Sequence, residues 1–171
     1  MLRSMTITLT ITMAVLFLPV AAFAGGGFQF SLAGGAGAAG DSFTSSALLD
    51  NSGGGDIQGW SFGVCSDPAA LTVDGAASGA DTETSKNGSP PDFNQISTFA
   101  EGATQGVVLC FTGCAVIGDT SGFEMLTIDY TIVGSSDTSI DYCGPLGAPP
   151  VNTVVVVGGA SLAPFTTGGL I

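Results

Sequence analysis

Residues 58–65 alternate between small or polar side chains and large apolar ones. Successive side chains of a β-strand point to opposite faces, so one face of this segment is large and apolar and the other is nearly bare. An aromatic as large as Trp60, the single tryptophan, normally anchors a core. The pattern therefore predicts the central strand of a sandwich, with a flat outer face on which a partner can dock. The large residues are Trp60, Phe62 and Val64, and the candidate docking face is Gly59, Ser61 and Gly63, with Cys65 beside them.

The alternation recurs along the chain in short segments that Gly, Pro, Asn and Asp separate. Residues 123–133 alternate most regularly and predict a half-buried strand. Residues 101–106 are predicted to turn the chain, and Phe93, Ile96 and Phe99 to return it to the core. About eight or nine short strands with turn signals between them are typical of an all-β antiparallel sandwich. The other strands are predicted at residues 28–32, 41–50, 71–73, 107–111, 139–143 and 152–157.

The first 24 residues have the features of a secretory signal peptide. Arg3 is followed by an apolar segment over residues 7–20, and Ala22-Phe23-Ala24 forms a small-x-small cleavage site. The fully apolar run is shorter than the ~20 residues that a membrane span needs. We therefore expect a secreted or cell-surface protein that does not insert in the membrane after cleavage. Residues 25–165 are predicted to form one β-sandwich domain, and residues 166–171 a C-terminal tail.

Charge narrows the range of partners. Without Arg3, Lys86 is the one basic residue against 14 acidic residues. Nucleic acids and anionic membranes require clusters of Lys and Arg, so both are excluded. A structural Ca²⁺ ion is compatible, because it takes six to eight oxygen ligands. The weak candidates for such a site are Asp50, Asn51 and Asp56 in one turn, and Asp81 and Glu83 in the polar segment 75–92; no other cofactor is expected.

The cysteines and the missing histidines restrict the chemistry further. Four cysteines in a secreted chain predict two disulfides, with three connectivities. Cys110 and Cys114 are spaced C-x3-C, but a zinc site would need a second close pair or histidines. The chain has no histidine for a Ser-His-Asp or Cys-His nucleophile, and no phosphate-binding Gly-rich loop with a lysine. We therefore expect a protein that is not an enzyme, with Cys65, Cys110, Cys114 and Cys143 all in disulfides.

The order of several motifs resembles that of cohesin domains. The shared pieces are a Gly-Asp strand entry, a strand ending in Asn, a Gly-aromatic-x-aromatic strand, an Asp-Pro-x-x-Leu turn and a late alternating strand. The chain also resembles uncharacterised bacterial secreted proteins that share its Gly-Trp-Ser-Phe-Gly-Val-Cys segment. The cohesin motifs lie at residues 40–44, 48–51, 57–62, 67–73 and 124–130.

The cohesin resemblance implies a nine-strand jelly-roll sandwich, close to that of some carbohydrate-binding modules. In the cohesin strand order the strand of Trp60 lies between residues 107–111 and 139–143, and on that order we expect Cys65 to pair with Cys110 and Cys114 with Cys143. The resemblance favours a non-catalytic module for extracellular protein–protein interaction or adhesion. The β-branched run Val154–Val157 and the scarcity of lysine suggest a self-assembling structural subunit as an alternative. A carbohydrate-binding module is the second alternative, which needs exposed aromatic residues.

Overall fold

The computed structural model describes residues 27–144 and 146–171, so the predicted signal peptide lies outside the described residues. Two β-sheets form a sandwich, which confirms the predicted all-β fold. In these two ranges a single short 3-10 helix occurs at Thr82–Thr84, and no helix there is long and apolar enough to cross a membrane. The strands are β1 (Gly27–Leu32), β2 (Ser42–Ser52), β3 (Ile57–Ser66), β4 (Leu71–Ser78), β5 (Phe93–Phe99), β6 (Gly102–Val108), β7 (Thr120–Ile132), β8 (Ser139–Cys143), β9 (Val154–Val157), β10 (Ala160–Leu162), β11 (Phe165–Thr167) and β12 (Gly169–Leu170).

The two sheets have different strand orders. The first sheet runs β11-β1-β2-β7-β4, and the second runs β10-β9-β3-β6-β5. Strand β3 is central in the second sheet, with β6 along one edge and both β9 and β8 along the other. The last strands pair with earlier ones, since β11 pairs in parallel with β1, the first described strand, and β12 pairs with β8. The last strands are therefore part of the sandwich.

The predicted tail at residues 166–171 is integrated in the fold. Thr166 and Thr167 pair with Phe30 and Ser31 of β1, and the main chain of Ile171 exchanges two hydrogen bonds with Thr138. Strands of two or three residues have too little periodic pattern to be recognised in a sequence, and their hydrogen bonds depend on distant partners. The sandwich consequently extends to the last residues of the chain.

The core contains the residues that alternation placed there. Trp60, Phe62 and Val64 are buried, and the ring of Phe62 packs edge-on against Phe30 and Tyr142 at centroid distances of 5.8 and 5.5 Å. These three rings join β3 to both β1 and β8. Strand β7 supplies the opposite wall with Leu126, Ile128, Tyr130 and Ile132, all buried.

Strand β6 differs from its prediction. Of the expected turn at residues 101–106, residues 102–106 are strand, and the expected strand at residues 107–111 ends at Val108. The reason is Gln105, a polar residue that is fully buried. Its Oε1 accepts a hydrogen bond from Trp60 Nε1 at 3.0 Å, and its Nε2 donates to Asn94 Oδ1 at 3.1 Å and to Met125 O at 3.0 Å. With all of these bonds made, an amide side chain is tolerated in a core strand.

The disulfides pair differently from the expectation drawn from the cohesin strand order. Cys65 bonds to Cys143, and Cys110 bonds to Cys114. The strand order itself is as expected, with β3 between β6 and β8. However, Cys65 on β3 lies opposite Gly102 of β6 and Asp141 of β8, and Cys143 is two residues along β8 from Asp141, opposite Gly63. Cys110 lies beyond the end of β6, beside Gln58 at the opposite end of β3 from Cys65, and closes a local loop instead.

The two tyrosines lead us to expect a coupled titration and unfolding at alkaline pH. Burial raises the pKa of Tyr130 to about 12, and burial raises the pKa of Tyr142 as well. A folded-state pKa above the unfolded value means that the stabilisation is fully present below about pH 10 and is lost as pH rises through the folded pKa. Absorbance at 295 nm is therefore expected to show no tyrosinate near pH 10 and to rise together with unfolding of the core around Trp60.

Both tyrosines of the chain contribute to this signal, so no exposed phenol obscures it. The chain unfolded in guanidinium is the control and should titrate near pH 10. A tyrosinate transition near pH 10 with unchanged Trp60 fluorescence would contradict the expectation.

Candidate functional site

The outer face of the second sheet is arranged in rows across its strands. Residues that lie opposite each other on neighbouring strands point to the same face. One row, at the end of the sheet near residue 111, runs from Phe93 on β5 through Val108 on β6 and Gly59 on β3 to Val156 on β9. Three apolar side chains therefore flank one glycine along a line that crosses four strands.

These apolar side chains are accessible to solvent. Phe93 is 41% exposed and Val108 is 36% exposed, while Phe111, in the loop that follows β6, is 70% exposed. A hollow of about 260 Å³ lies over Gly59, bordered by Val108, Phe111 and Val156. We call the four residues Phe93, Val108, Phe111 and Val156 the apolar end of the second sheet. Contiguous exposed apolar side chains of this kind are typical of interaction surfaces.

A short closed loop places Phe111 in the apolar end. The amide of Gly113 donates to Cys110 O at 3.0 Å, which forms a β-turn with Phe111 and Thr112 at its centre. The Cys110–Cys114 disulfide closes the same segment. The sequence prediction missed this loop because it assigned residues 107–111 to a strand. An aromatic residue inside a C-x3-C segment was the available signal.

The prediction that Phe93 and Phe99 return to the core is wrong. The register of β5 with β6 places Phe93 opposite Val108 and Phe99 opposite Gly102, on the outer face. Phe99 is half-buried there, whereas Ile96 points inward and packs against the core. Alternation within β5 is too weak to distinguish its two faces from sequence, because an aromatic residue lies at each end and polar residues lie on both faces.

The predicted docking face is not open. Gly59 and Gly63 are buried, and Ser61 donates through Oγ to Asn152 O at 2.8 Å. Leu146, itself buried, lies directly over Gly63, where a Cβ atom would be 3.5 Å from the leucine Cβ. The segment after β8 thus covers the middle of the bare face. Only the row of Gly59 is left uncovered, as the floor of the hollow.

The covering segment forms a second groove with the edge of the sheet. Gly147, Pro149 and Val151 face Gln95 and Ser97 of β5 across a cavity of about 380 Å³. This groove is continuous with the apolar end, because Phe93 lines it too. The accessible part of the face therefore runs along β5 and across its end at Phe93.

The outer face of the first sheet has a different character. Its side chains are Ser, Thr, Asp and Glu that bond to each other, with Thr44 Oγ1 donating to Asp129 Oδ1 at 2.6 Å and Thr131 Oγ1 to Asp74 Oδ2 at 2.7 Å. The polar groups of such a face form hydrogen bonds with each other and with solvent. The two outer faces are thus chemically unlike, although the edge strand β11 of the first sheet also presents one exposed aromatic residue, Phe165.

The calcium candidates do not converge on one point. Asn51 is buried, and its amide holds the turn by donating to Gly55 O and Gly118 O, both at 2.9 Å. Asp50 accepts from Gly122 N, and Asp81 accepts from Glu124 N, both at 2.8 Å. Asp56 and Glu83 are exposed. Within residues 27–144 and 146–171 no three His, Cys, Asp or Glu side chains are grouped in a way that would hold a metal ion.

Comparison with known proteins finds structures of the same fold but no matching sequence family. The sequence matches no protein-family model and no curated protein. Among solved structures, the third cohesin of ScaC from Acetivibrio cellulolyticus, in complex with the ScaB dockerin, superposes with a TM-score of 0.66 at 17% identity. The match covers 84% of this chain and 96% of that one. The fold is that of a cohesin domain.

Other cohesins agree with this assignment of fold. The sixth cohesin of scaffoldin B from Acetivibrio cellulolyticus, in complex with a Cel5 dockerin, gives a TM-score of 0.63 at 19% identity over 84% of this chain and 96% of that one. A non-cellulosomal cohesin from the archaeon Archaeoglobus fulgidus gives 0.58 at 12% identity over 84% and 88%. These superpositions show the cohesin fold for the sandwich, and at such low identity they show the fold alone.

Proposed function

We propose that this chain is a non-catalytic extracellular module that binds another protein through the apolar end of the second sheet. The observation that carries the proposal is the set of exposed Phe93, Val108 and Phe111 and half-buried Val156 around the hollow over Gly59. Aromatic residues beside a pocket are the usual anchors of protein interfaces. The two disulfides support a location outside the reducing cytosol.

Charge indicates the kind of partner. The whole chain has a formal net charge of −12. Its single lysine, Lys86, is engaged with Asp92 at 2.5 Å near the apolar end. Two copies of so acidic a chain repel each other, whereas a neutral or basic surface is attracted. We therefore favour a different protein over a second copy. Self-assembly and carbohydrate binding remain predictions from the sequence.

Dockerins are the first candidate partners. Two of the cohesins with this fold are seen in complex with a dockerin. The same fold with an apolar, aromatic-bearing outer sheet face supports a dockerin or a similar small secreted module as the partner here.

A photo-crosslinking experiment tests which face binds. The photoreactive residue p-benzoylphenylalanine replaces Val108 in one variant and Thr72, which is exposed on the outer face of the first sheet, in the other. Each variant is irradiated with the culture fluid of the organism that encodes the chain, and with purified dockerins. We expect a covalent adduct with one protein through position 108 and none through position 72. Equal adducts at both positions, or none at 108, would contradict the proposal.

Charge substitutions give the matching affinity measurement. Val108→Asp and Phe111→Asp each place a carboxylate in the apolar end. Each is expected to weaken binding of the partner identified by cross-linking more than tenfold, since loss of an anchor residue costs about 2 kcal/mol or more. Thr72→Asp adds the same charge on the other face and should leave the affinity within about twofold, as for substitutions outside an interface. Biolayer interferometry measures all three.

A further inference from the structure

The side chain of Phe111 is 70% exposed, so its position depends largely on its backbone. The turn Cys110–Gly113 has one internal backbone hydrogen bond, and a disulfide joins Cys110 to Cys114, the residue that follows the turn. A five-residue ring removes little entropy from an unfolded chain, so the main effect of this bridge is local. Further contacts must fix the turn against the sheet.

The segment that precedes β5 supplies those contacts. Asp92 Oδ2 accepts a hydrogen bond from the amide of Phe111 at 3.0 Å, and Asp92 N donates to Leu109 O at 3.1 Å. At the other end of the turn, Asn87 Nδ2 donates to Cys114 O at 3.3 Å. Both ends of the disulfide loop are therefore tied to residues 87–92.

The Asp92 carboxylate is well suited to this contact. Its Oδ1 accepts from Lys86 Nζ at 2.5 Å, which leaves Oδ2 directed at Phe111. The hydrogen bond from Lys86, followed by the one from the Phe111 amide, holds the pKa of this carboxyl below its ordinary value of 3.8. The group is consequently ionised at neutral pH, and a charged acceptor makes the stronger bond to a backbone amide.

We propose that Asp92 is a positioning residue that, with the Cys110–Cys114 bridge, presents Phe111 to the partner in one fixed orientation. The inference rests on the proposed function, because Phe111 has a partner to meet only if the apolar end is the docking surface. Preorganising an anchor side chain increases affinity by removing the ordering cost from the binding step. Asp92 acts through the backbone of Phe111 and does not itself need to touch the partner.

Substitutions at position 92 and its neighbours test the inference. Asp92→Ala removes the acceptor for Phe111, Asp92→Asn keeps an oxygen acceptor without the charge, and Lys86→Met removes only the ion pair. Asp74→Ala, which removes a carboxylate bonded to Thr131 on the first sheet, is the matched control. Thermal melting of each variant shows whether the sandwich remains folded, and shifts of no more than a few degrees are expected for such exposed positions.

Two readouts are then compared. Hydrogen exchange at the Gly113 amide reports the order of the turn, because this amide donates to Cys110 O and not to Asp92. Affinity is measured for the partner protein that was identified by cross-linking through position 108. We expect Asp92→Ala to accelerate exchange at Gly113 about tenfold and to weaken binding about fivefold or more, in line with the opening of a local structural unit. Asp92→Asn should keep the exchange rate and the affinity close to the wild-type values. Lys86→Met and Asp74→Ala should change neither quantity.

The failure of this inference is distinct from failure of the proposed function. Unchanged exchange at Gly113 in Asp92→Ala, or faster exchange with unchanged affinity, would overturn the positioning role and leave the docking surface in place. Unchanged affinity in Val108→Asp and Phe111→Asp would overturn the docking surface itself.

Discussion

Gly102→Ala is expected to abolish folding. A Cβ atom at this position would lie 1.8 Å from the carbonyl oxygen of Val64, far inside van der Waals contact, and the residue has a φ of +152°. Gly102 pairs with Cys65 at the start of β6, so the obstructing atom belongs to the backbone of the central strand β3. Neither strand can move without breaking the ladder. The cost is expected to exceed about 4 kcal/mol, a large part of the stability of a domain of this size.

Gly106→Ala on the same strand is the matched control. A Cβ atom there meets only Phe93 Cε1 at 3.8 Å, an ordinary contact. Its effect on the free energy of unfolding should stay within about 1 kcal/mol. Circular dichroism and urea unfolding of the purified proteins measure both variants. A folded Gly102→Ala protein with a urea midpoint near that of Gly106→Ala would contradict the expectation.

Removal of the Cys65–Cys143 disulfide is expected to have the second largest effect. Its cysteines are 78 residues apart in sequence, and closure of so long a loop restricts the unfolded chain by about 4.5 kcal/mol. The cysteines of the other bridge are 4 residues apart, for which the same relation gives only about 2 kcal/mol. The Cys65→Ala/Cys143→Ala protein should therefore be far less stable than the Cys110→Ala/Cys114→Ala protein.

Urea unfolding of the two double variants measures this difference directly. The variant without Cys110–Cys114 should retain the wild-type fold and lose mainly the order of the turn that carries Phe111. Equal free energies of unfolding for the two variants, or a greater loss for the short loop, would show that strain or residual unfolded structure dominates over chain entropy.

The parts of the fold that could be predicted from sequence are those with strong local alternation. Strand β3 places a tryptophan and a phenylalanine on one side and glycines on the other, and β7 alternates over most of its length. In both strands, the side chains of one face are larger or more hydrophobic than those of the other, so only that face can be buried favourably. These two strands are enough to indicate two facing layers.

The remaining features depend on partners that are distant in sequence. Gln105 is compatible with a core strand only because Trp60, Asn94 and Met125 supply its hydrogen bonds, and no local pattern reveals them. The pairing of Cys65 with Cys143 depends on the register between β3 and β8.

The predicted docking face is less accessible than expected for a related reason. The bare face of β3 was correctly inferred, yet the segment that covers it begins about 80 residues later, and sequence alone does not place Leu146 over Gly63. The aromatic residues that define the apolar end come from β5 and from a loop, where alternation carries little information. Exposed and buried phenylalanines look alike in a sequence, and only the strand register separates Phe93 from Phe30.

The rarity of basic residues has a consequence for proteolysis. Trypsin-like proteases cut after lysine or arginine, and beyond Arg3 the chain offers them only the bond after Lys86. That bond lies in the turn where Lys86 and Ser89 exchange backbone hydrogen bonds. A cut there would leave Cys65 in one fragment and Cys143 in the other, still joined by their disulfide. In a protease-rich medium, such a nicked molecule would come apart only after both unfolding and reduction.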